Sequence, residues 1–365
     1  MVVITSRNAV IFWGEETGFG SGLAGEHKCF SPVENFTLPR VKKVVKTATT
    51  MEQWVPSVGI EVQHEEGEVT YTAIYRDPFM MSYIFDYVAI AGTWVTDDGI
   101  IELGMDSEEF ANTPALIAEP TIWIRADYID SGAVEIIQRI FSGGLITRWK
   151  ITAVVGDFIK EEVTVRVSHP SVEETTAMNA TAGFHGGEWN ELTTVTAGGW
   201  AGWNDNSPYN STAMAFTFAA TLIDKDNFKI NEISLEISRP VEFVKVSDDL
   251  AAVDWWKSGI DYTVTIKGFI QDPDLVEEIE AAYASRTKDD AILTLTDSDA
   301  KTQVWHLSDM YIAELSGHDE LGGAGVAQEV TVTLKPVPAT GNNRCTCWYT
   351  GTFDKLADPT DHVAN

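Results

Sequence analysis

"YTVTIKGFIQDPDLVEEIEAAYASRTKDDAILTL", residues 262–295, contains a strand pattern, a helix pattern and a second strand pattern in succession. Tyr262–Ile270 and Ala291–Thr296 are rich in β-branched and aromatic residues that alternate with polar ones, which predicts strands. Between them, an Asp cap, a Pro at the first helical position and apolar residues four apart predict a one-sided helix over Asp272–Ser285. The stretch therefore predicts a strand–helix–strand unit.

The same order occurs earlier, in "VTYTAIYRDPFMMSYIFDYVAIAGTWVTDDGIIEL", residues 69–103. The alignment places Asp77-Pro78 on Asp272-Pro273 and Asp97-Asp98 on Asp289-Asp290. Matching blocks flank both stretches, so the chain is interpreted as two tandem copies of one domain. The first copy has a more apolar helix, Asp77–Tyr87, which predicts a more buried contact, and an insertion is expected around residues 118–141.

The predicted fold class is mainly β, with two tandem β-sandwich or barrel-like domains that each carry one flanking α-helix. Further strands are predicted at Thr212–Leu222, Ile230–Ile237 and Glu329–Leu334. The predicted organisation is an N-terminal arm (1–33), a first β domain (34–170), a Gly/Ser/Thr/Trp-rich linker or loop (171–211), a second β domain (212–338) and a C-terminal tail (339–365). The linker is expected to be the site of proteolytic cleavage, leaving two folded pieces.

Charge is the most unusual bulk property of the sequence. The 365 residues include 55 Asp plus Glu against 25 Lys plus Arg, a formal net charge of −30 spread along the chain. Such a surface disfavours binding of a nucleic-acid backbone. It resembles the surfaces of proteins from saline cytoplasms, where salt screens self-repulsion; an ordinary acidic protein is the alternative. No apolar run reaches the roughly 20 residues of a membrane span, and no signal peptide is recognised, so cytoplasmic synthesis is expected.

Motifs for catalysis or cofactor binding are absent from the sequence. The seven His residues do not show ligand spacing, and no nucleophile elbow or phosphate loop occurs. Gly20-x-Gly22-x-x-Gly25 has dinucleotide-loop spacing, but Pro32 follows before a helix of useful length could form. Cys345-Thr-Cys347 is interpreted as two free thiols in a tail, with a metal site as the alternative. The expectation is therefore no enzyme, no cofactor and no metal.

Two groups of aromatic residues are candidates for interaction. Phe12, Trp13 and Phe19 lie in the N-terminal arm and are candidates for docking on a neighbouring subunit. Trp189, Trp200 and Trp203 lie in the linker, together with Phe184 and Tyr209, which also look exposed. A Trp-rich linker supports one alternative function, a carbohydrate-binding or adhesive β-sandwich surface module, because flat aromatic rings stack on sugars.

The strand pair, the Asp-Pro helix, the closing hairpin "GHDELGGAGVAQEVTVTLKPV" and the "GEETGFG" segment at 14–20 resemble the tail tube proteins of tailed viruses. The acidic surface extends the resemblance to a virus of a halophilic archaeon. The resemblance implies a virion protein, made in the host cytoplasm, that stacks into rings around a DNA channel, with segment 14–20 bridging neighbours. An acidic lumen would repel duplex DNA in transit.

Ring stoichiometry also follows from the resemblance. Rings of the family have six domains, so two domains per chain imply a trimeric ring with pseudo-sixfold symmetry. A hexamer with an outer layer of second domains is the alternative. The implied partners are further copies of the chain and other tail proteins. The chain departs from the family in having two domains where one is usual, and in its long linker.

Overall fold

The chain folds into antiparallel β-sheets with little helix. The computed structural model describes residues 9–16, 18–20, 28–29, 33–37, 45–48, 59–62, 67–76, 79–85, 87–91, 100–104, 115–116, 121–129, 135–169, 173–177, 208–219, 222–224, 227–244, 252–270, 272–297, 301–317, 328–337 and 345–350. Within them lie 23 strands. The mainly β fold class is therefore confirmed.

The strands preceding residue 178 are β1 (Ala9–Glu15), β2 (Lys28–Cys29), β3 (Val33–Thr37), β4 (Val45–Ala48), β5 (Gly59–Val62), β6 (Gly67–Ile74), β7 (Tyr87–Ala91), β8 (Ile100–Gly104), β9 (Ala115–Leu116), β10 (Ile122–Ile129), β11 (Glu135–Val154), β12 (Lys160–His169) and β13 (Glu173–Ala177). The later strands are β14 (Ala215–Phe218), β15 (Ile223–Asp224), β16 (Phe228–Ser238), β17 (Val241–Val244), β18 (Asp254–Lys257), β19 (Asp261–Ile270), β20 (Asp289–Thr296), β21 (Thr302–Ser316), β22 (Gln328–Pro336) and β23 (Cys345–Thr350). Within the described residues the α-helices are α1 (Phe79–Ser82) and α2 (Pro273–Ser285), and a 3-10 turn spans Ser211–Ala213.

Eight strands form the centre of the main sheet, in the order β3, β6, β12, β11, β16, β19, β22 and β21. The two long strands, β11 and β21, extend beyond this centre. The first part of β11 pairs with β10 and β13, and the first part of β21 pairs with β20 and β23. The segment predicted as a C-terminal tail therefore contributes β23 to the sheet, where Cys345 and Cys347 are buried.

The same arrangement of paired strands, called here the ladder, occurs twice in the chain. The positions at which the pairing register shifts also match between the two copies. The register of β11 with β12 shifts between Ile146 and Arg148, and that of β21 with β22 shifts between Ile312 and Glu314. Matching shifts also occur in β3–β6 and β16–β19, and in β10–β11 and β20–β21. The registers make Val69 equivalent to Val264. The sequence alignment of Asp77 with Asp272 has the same offset in residue number.

One part of the sequence alignment is wrong. It equates Ile100–Leu103 with the strand at Ala291–Leu295, but β8 pairs with β7 and β23. The strand that occupies the place of β20 is β10, since each pairs with the long strand that follows it. The additional strands of the first copy are thus β7 to β9, ahead of the predicted insertion at 118–141. An Asp-Asp pair precedes β8 and forms the first two residues of β20, and apolar residues follow the pair in both segments, so local sequence does not distinguish them.

The second helix confirms its prediction. Asp272 caps α2 by accepting a hydrogen bond from the Asp274 amide, and Pro273 occupies the first turn. Leu275, Ile279 and Ala282 lie on its buried side, whereas Tyr283, which the four-residue spacing places with Leu275 and Ile279, is 41% exposed. The first helix is shorter than predicted, because α1 spans only Phe79–Ser82 within the described residues.

A single hydrophobic core runs through both copies of the ladder. Trp149 of β11 lies 5.4 Å from Trp305 of β21 between ring centroids, and Tyr75 contacts Trp149 at 5.7 Å. Tyr209, expected to be exposed in the linker, is fully buried and stacks on Tyr75 at 5.5 Å. It is buried because its segment closes over the end of β6, where its amide donates to the Tyr75 carbonyl. None of the described helices is long and apolar enough to cross a membrane.

Candidate functional site

The two copies of the ladder are joined edge to edge within one sheet. Residues 148–154 of β11 pair in register with residues 232–238 of β16, which is the outermost strand of the second copy. The buried side of this junction consists of alternate residues from the two strands: Trp149, Ile151, Ala153, Ile233, Leu235 and Ile237. The junction therefore combines a backbone ladder with continuous apolar packing.

An ion cluster covers the other side of the junction. The Arg148 guanidinium donates from Nε and Nη2 to the two carboxylate oxygens of Glu236, both at 2.8 Å, and from Nη1 to Glu162 at 2.6 Å. These bonds raise the pKa of Arg148, the hydrogen bond to Glu236 being the largest cause. The same hydrogen bond lowers the pKa of Glu236. Since these side chains are about one-third exposed, the cluster adds little stability. The two parallel hydrogen bonds from Arg148 to Glu236 nevertheless favour one register between β11 and β16.

The solvent-facing side of the central sheet is a polar surface arranged in rows across the strands, called here the polar face. Because successive side chains of a strand alternate between faces, these residues lie opposite the core. One row crosses seven strands: Ile74, Lys160, Thr152, Ser234, Thr265, Thr333 and Glu314. A second comprises Thr72, Glu162, Lys150, Glu236 and Thr263. Two more are Thr37, Thr70, Thr164, Arg148, Ser238 and Asp261, and Val154, Glu232, Lys267, Thr331 and Ser316.

Charge on the polar face is nearly balanced. Its four rows contain four cations and five carboxylates, whereas the chain has 25 Lys plus Arg and 55 Asp plus Glu. Lys267 bonds Glu232 at 2.8 Å, and Lys160 of β12 bonds Glu34 of β3, two strands away, at 2.9 Å. The polar face therefore differs from the acidic average of the chain. Its Thr and Ser side chains lie between the charged residues and are at least partly exposed, except for Thr164 and Ser234, which are buried.

Two strand edges at opposite ends of the central sheet are equivalent to the two sides of the junction. β3 corresponds to β16, and among the described residues it pairs only with β6. The last residues of β21, Glu314–Ser316, correspond to the start of the β11 junction segment and pair only with β22 in the described part of the chain. An unsatisfied strand edge is a template for pairing with another chain.

The structure ties much of the N-terminal arm to its own chain. Trp13 is 5% exposed and contacts Tyr83 edge-on at 5.7 Å, so it fills this chain's core and is not accessible to a neighbour. The buried Glu16 carboxylate accepts hydrogen bonds from the amides of Gly20 and Gly143, at 3.1 and 2.8 Å. Local sequence gives no signal for these long-range contacts.

Phe19 contacts the second copy of the same chain. Its ring lies 6.0 Å from the ring of Phe243 on β17, and the Arg166 guanidinium lies 5.2 Å from the same ring. In this structure the arm therefore bridges the two copies within one chain. Phe12 is placed on β1, which pairs with β10, but its side chain lies outside the described residues, as do Trp189, Trp200 and Trp203.

The two cysteines of β23 are buried in the sheet. Cys345 and Cys347 are free thiols on β23, and burial raises the pKa of the Cys345 thiol. Gln303 donates to the Cys347 sulfur at 3.3 Å and to the Tyr75 hydroxyl at 2.6 Å. No group of three His, Cys, Asp or Glu side chains that could hold a metal ion occurs among the described residues.

No family model matches the chain, and no curated protein matches it.

Proposed function

We propose that this protein is a structural virion protein that assembles into stacked rings and forms a tail tube through which viral DNA passes. The observation that most directly supports this proposal is the junction between β11 and β16, which joins two copies of one strand ladder in a single sheet. A head-to-tail joint of this kind gives a closed ring when it is repeated by rotation. The resemblance of the sequence to tail tube proteins supports the same reading.

The open edges supply the joint between chains. β3 at one end and the end of β21 at the other are the counterparts of the strands that meet at the junction. Pairing them between successive chains would bury both edges and continue the sheet. With two ladder copies per chain, three chains give six positions and a trimeric ring with pseudo-sixfold symmetry; a hexamer is the alternative.

The polar face would line the channel. Threonine and serine hydroxyls and paired charges offer a duplex little net attraction, because phosphate binding depends on unpaired cations that displace counterions. The sequence composition predicts an acidic lumen. With the polar face lining the channel, the lumen would instead be nearly neutral, and the excess negative charge would lie on other surfaces. The role is structural and not catalytic.

Electron microscopy of the purified protein tests this function. Samples are compared from low to molar salt and over a range of protein concentrations, because the net charge of −30 opposes assembly at low ionic strength. The expected result is rings or tubes with a central hole of about the width of duplex DNA, and threefold class averages. Dispersed monomers under every condition would refute the proposal and direct attention to the carbohydrate-binding or adhesive module.

A further inference from the structure

Exposed apolar side chains are concentrated at two places in the described part of the chain. Eight large hydrophobic side chains are exposed there, and six of them form two groups of three. The group at the turn between β11 and β12 is called here the tip patch: Val154, Val155 and Phe158. The group on the β17–β18 hairpin is called the hairpin patch: Val244, Val253 and Trp256. Clustered exposed apolar groups, unlike scattered ones, are typical of interaction surfaces.

The tip patch is held by a tight turn. The Asp157 amide donates to the Val154 carbonyl at 3.0 Å, and the Val155 amide donates to the Asn231 carbonyl at 3.0 Å. Gly156 adopts a φ of 89°, which glycine accommodates without strain. These backbone bonds place the three apolar side chains at the end of the hairpin, with each of them exposed. The patch is therefore formed before any partner binds.

The hairpin patch is fixed by the opposite side of its own hairpin. The buried Arg239 donates from Nη1 to the Ile84 carbonyl at 2.7 Å, and Lys257 donates from Nζ to the Tyr83 carbonyl at 2.9 Å. Side chains alternate between the two sides of β17 and β18, so the side that carries Trp256 faces solvent. The hairpin patch is thus exposed on a strand pair that is anchored from behind.

The two patches lie at opposite ends of the central strands. Val154 pairs with Glu232 near the start of β16, whereas the hairpin follows Ser238 at the end of β16, which pairs with Arg148. The segment of β11 from Arg148 to Val154 is about 20 Å long at the rise of an antiparallel strand. Copies joined tip to hairpin would therefore repeat along the strand direction, as in a head-to-tail stack.

We propose that the tip patch of one copy of this chain docks on the hairpin patch of the next copy. This inference rests on the proposed function, because it names the contact by which successive rings stack. The occupant is a second copy of the chain, since the two patches are both apolar and lie at opposite ends of the same strands. Each patch is small for a stable interface, but a trimeric ring makes three such contacts at once.

Carboxylates border both patches, so salt should control the contact. Asp157 is exposed in the turn of the tip patch, and Glu242 and Asp254 lie on the same side of the hairpin as Trp256. These carboxylates repel one another across the proposed contact at low ionic strength, and molar salt screens the repulsion. Stacking should therefore require more salt than the folding of the single chain.

Two pairs of substitutions remove the patches separately. Val155→Ser with Phe158→Ser changes the tip patch, and Val253→Ser with Trp256→Ser changes the hairpin patch. All four side chains are exposed, so both variants should fold, which circular dichroism checks. Sedimentation velocity and electron microscopy in molar salt then measure stacking. Each variant should form single rings, with the protein concentration needed for stacking raised at least about tenfold.

Mixing preassembled rings of the two variants tests whether the contact is head-to-tail. The tip variant keeps its hairpin patch, and the hairpin variant keeps its tip patch. An equal mixture should therefore form pairs of rings but no longer tubes, because each pair uses the only two intact patches. If each patch bound a like patch instead, either variant alone would form pairs of rings, and that result would overturn the proposal.

A matched control separates the two patches from exposed apolar surface in general. Tyr283→Ser with Ile292→Ser removes the other two exposed large hydrophobic side chains of the described residues, and this variant should stack like the natural chain. If the natural chain forms stacked rings and both patch variants stack equally well, or if the control loses stacking as fully as they do, the docking is wrong while the ring function stands. A natural chain that never forms rings would overturn both.

Discussion

Replacing Trp149 by alanine measures whether the two ladder copies fold as one unit. Trp149 is fully buried, contacts Trp305 and Tyr75, and donates from its indole nitrogen to Glu161 at 3.2 Å. Loss of a buried Trp side chain costs about 3–5 kcal/mol, and loss of the hydrogen bond adds about 1 kcal/mol, so the free energy of unfolding should fall by about 4–6 kcal/mol.

The size of the melting shift distinguishes one unit from two. Unfolding entropy is about 2.1 cal/mol/K per residue, hence about 0.8 kcal/mol/K for a chain of 365 residues that unfolds together. Scanning calorimetry should therefore show a single transition lowered by about 5–8 °C. Two independent halves would instead give two transitions, with one lowered by about 10–15 °C and the other unmoved. That second pattern would refute the reading of a shared core.

Trp256→Ala is the control, because this tryptophan lies on β18 and is 50% exposed. The same chemical change at a half-exposed site should cost no more than about 1 kcal/mol and move the melting temperature by about 1 °C. A shift as large as that of Trp149→Ala would mean that the burial assigned to the two tryptophans is wrong.

Four further outcomes are expected. Proteolytic cleavage within residues 187–207 should leave fragments that co-elute on size exclusion, because the junction and core join them; separate peaks would contradict this. Deletion of residues 1–25 should lower the melting temperature, since Trp13 is core, whereas an unchanged melt would favour a detachable arm. The melting temperature should rise from low to molar salt, because salt screens the repulsion between the carboxylates. An unchanged melting temperature across the salt series would refute the hypothesis of adaptation to a saline cytoplasm. The pKa of Glu236 is lower in the folded than in the unfolded chain, so its ion pair stabilises the fold at pH values above the unfolded pKa. This stability is lost as the pH falls through the folded pKa. Urea unfolding gives the free energy of unfolding at pH 7 and at pH 3. The loss of stability between the two pH values should be smaller in Glu236→Gln than in the natural chain, by less than about 1 kcal/mol, and Arg148→Ala should reduce the loss by the same amount.

Local patterns predicted the elements that local physics determines. Asp272 and Pro273 fix the start of α2, and alternation predicts the bounds of β16, β19 and β22 to within two residues at each end. The prediction at Thr212–Leu222 was too long: a 3-10 turn takes Ser211–Ala213, and the strand is only Ala215–Phe218. There the Asn210 side chain caps the turn and competes with strand geometry.

The candidate site depends on contacts that local patterns do not encode. β11 passes through Ser142-Gly143-Gly144, which is typical of a turn, yet the strand continues. Gly143 adopts a positive φ of 62°, and its amide is held by the distant carboxylate of Glu16. The junction likewise depends on β16, whose pairing with β11 is set by tertiary packing and by the Arg148 fork. Periodicity identifies each strand but not its neighbour.

The length of β11 has a consequence for how the protein is made. Its final segment pairs with β16, which lies roughly 80 residues further along the chain, and a ribosome adds about 5–20 residues per second. During the intervening seconds the edge of β11 emerges without its internal partner, and it is then open to the outer strand of any other nascent copy on the same messenger. Chains synthesised close together would therefore exchange strands and form domain-swapped dimers. The rate of translation through residues 155–238, and not only the final stability, should set how much correctly joined protein a cell obtains.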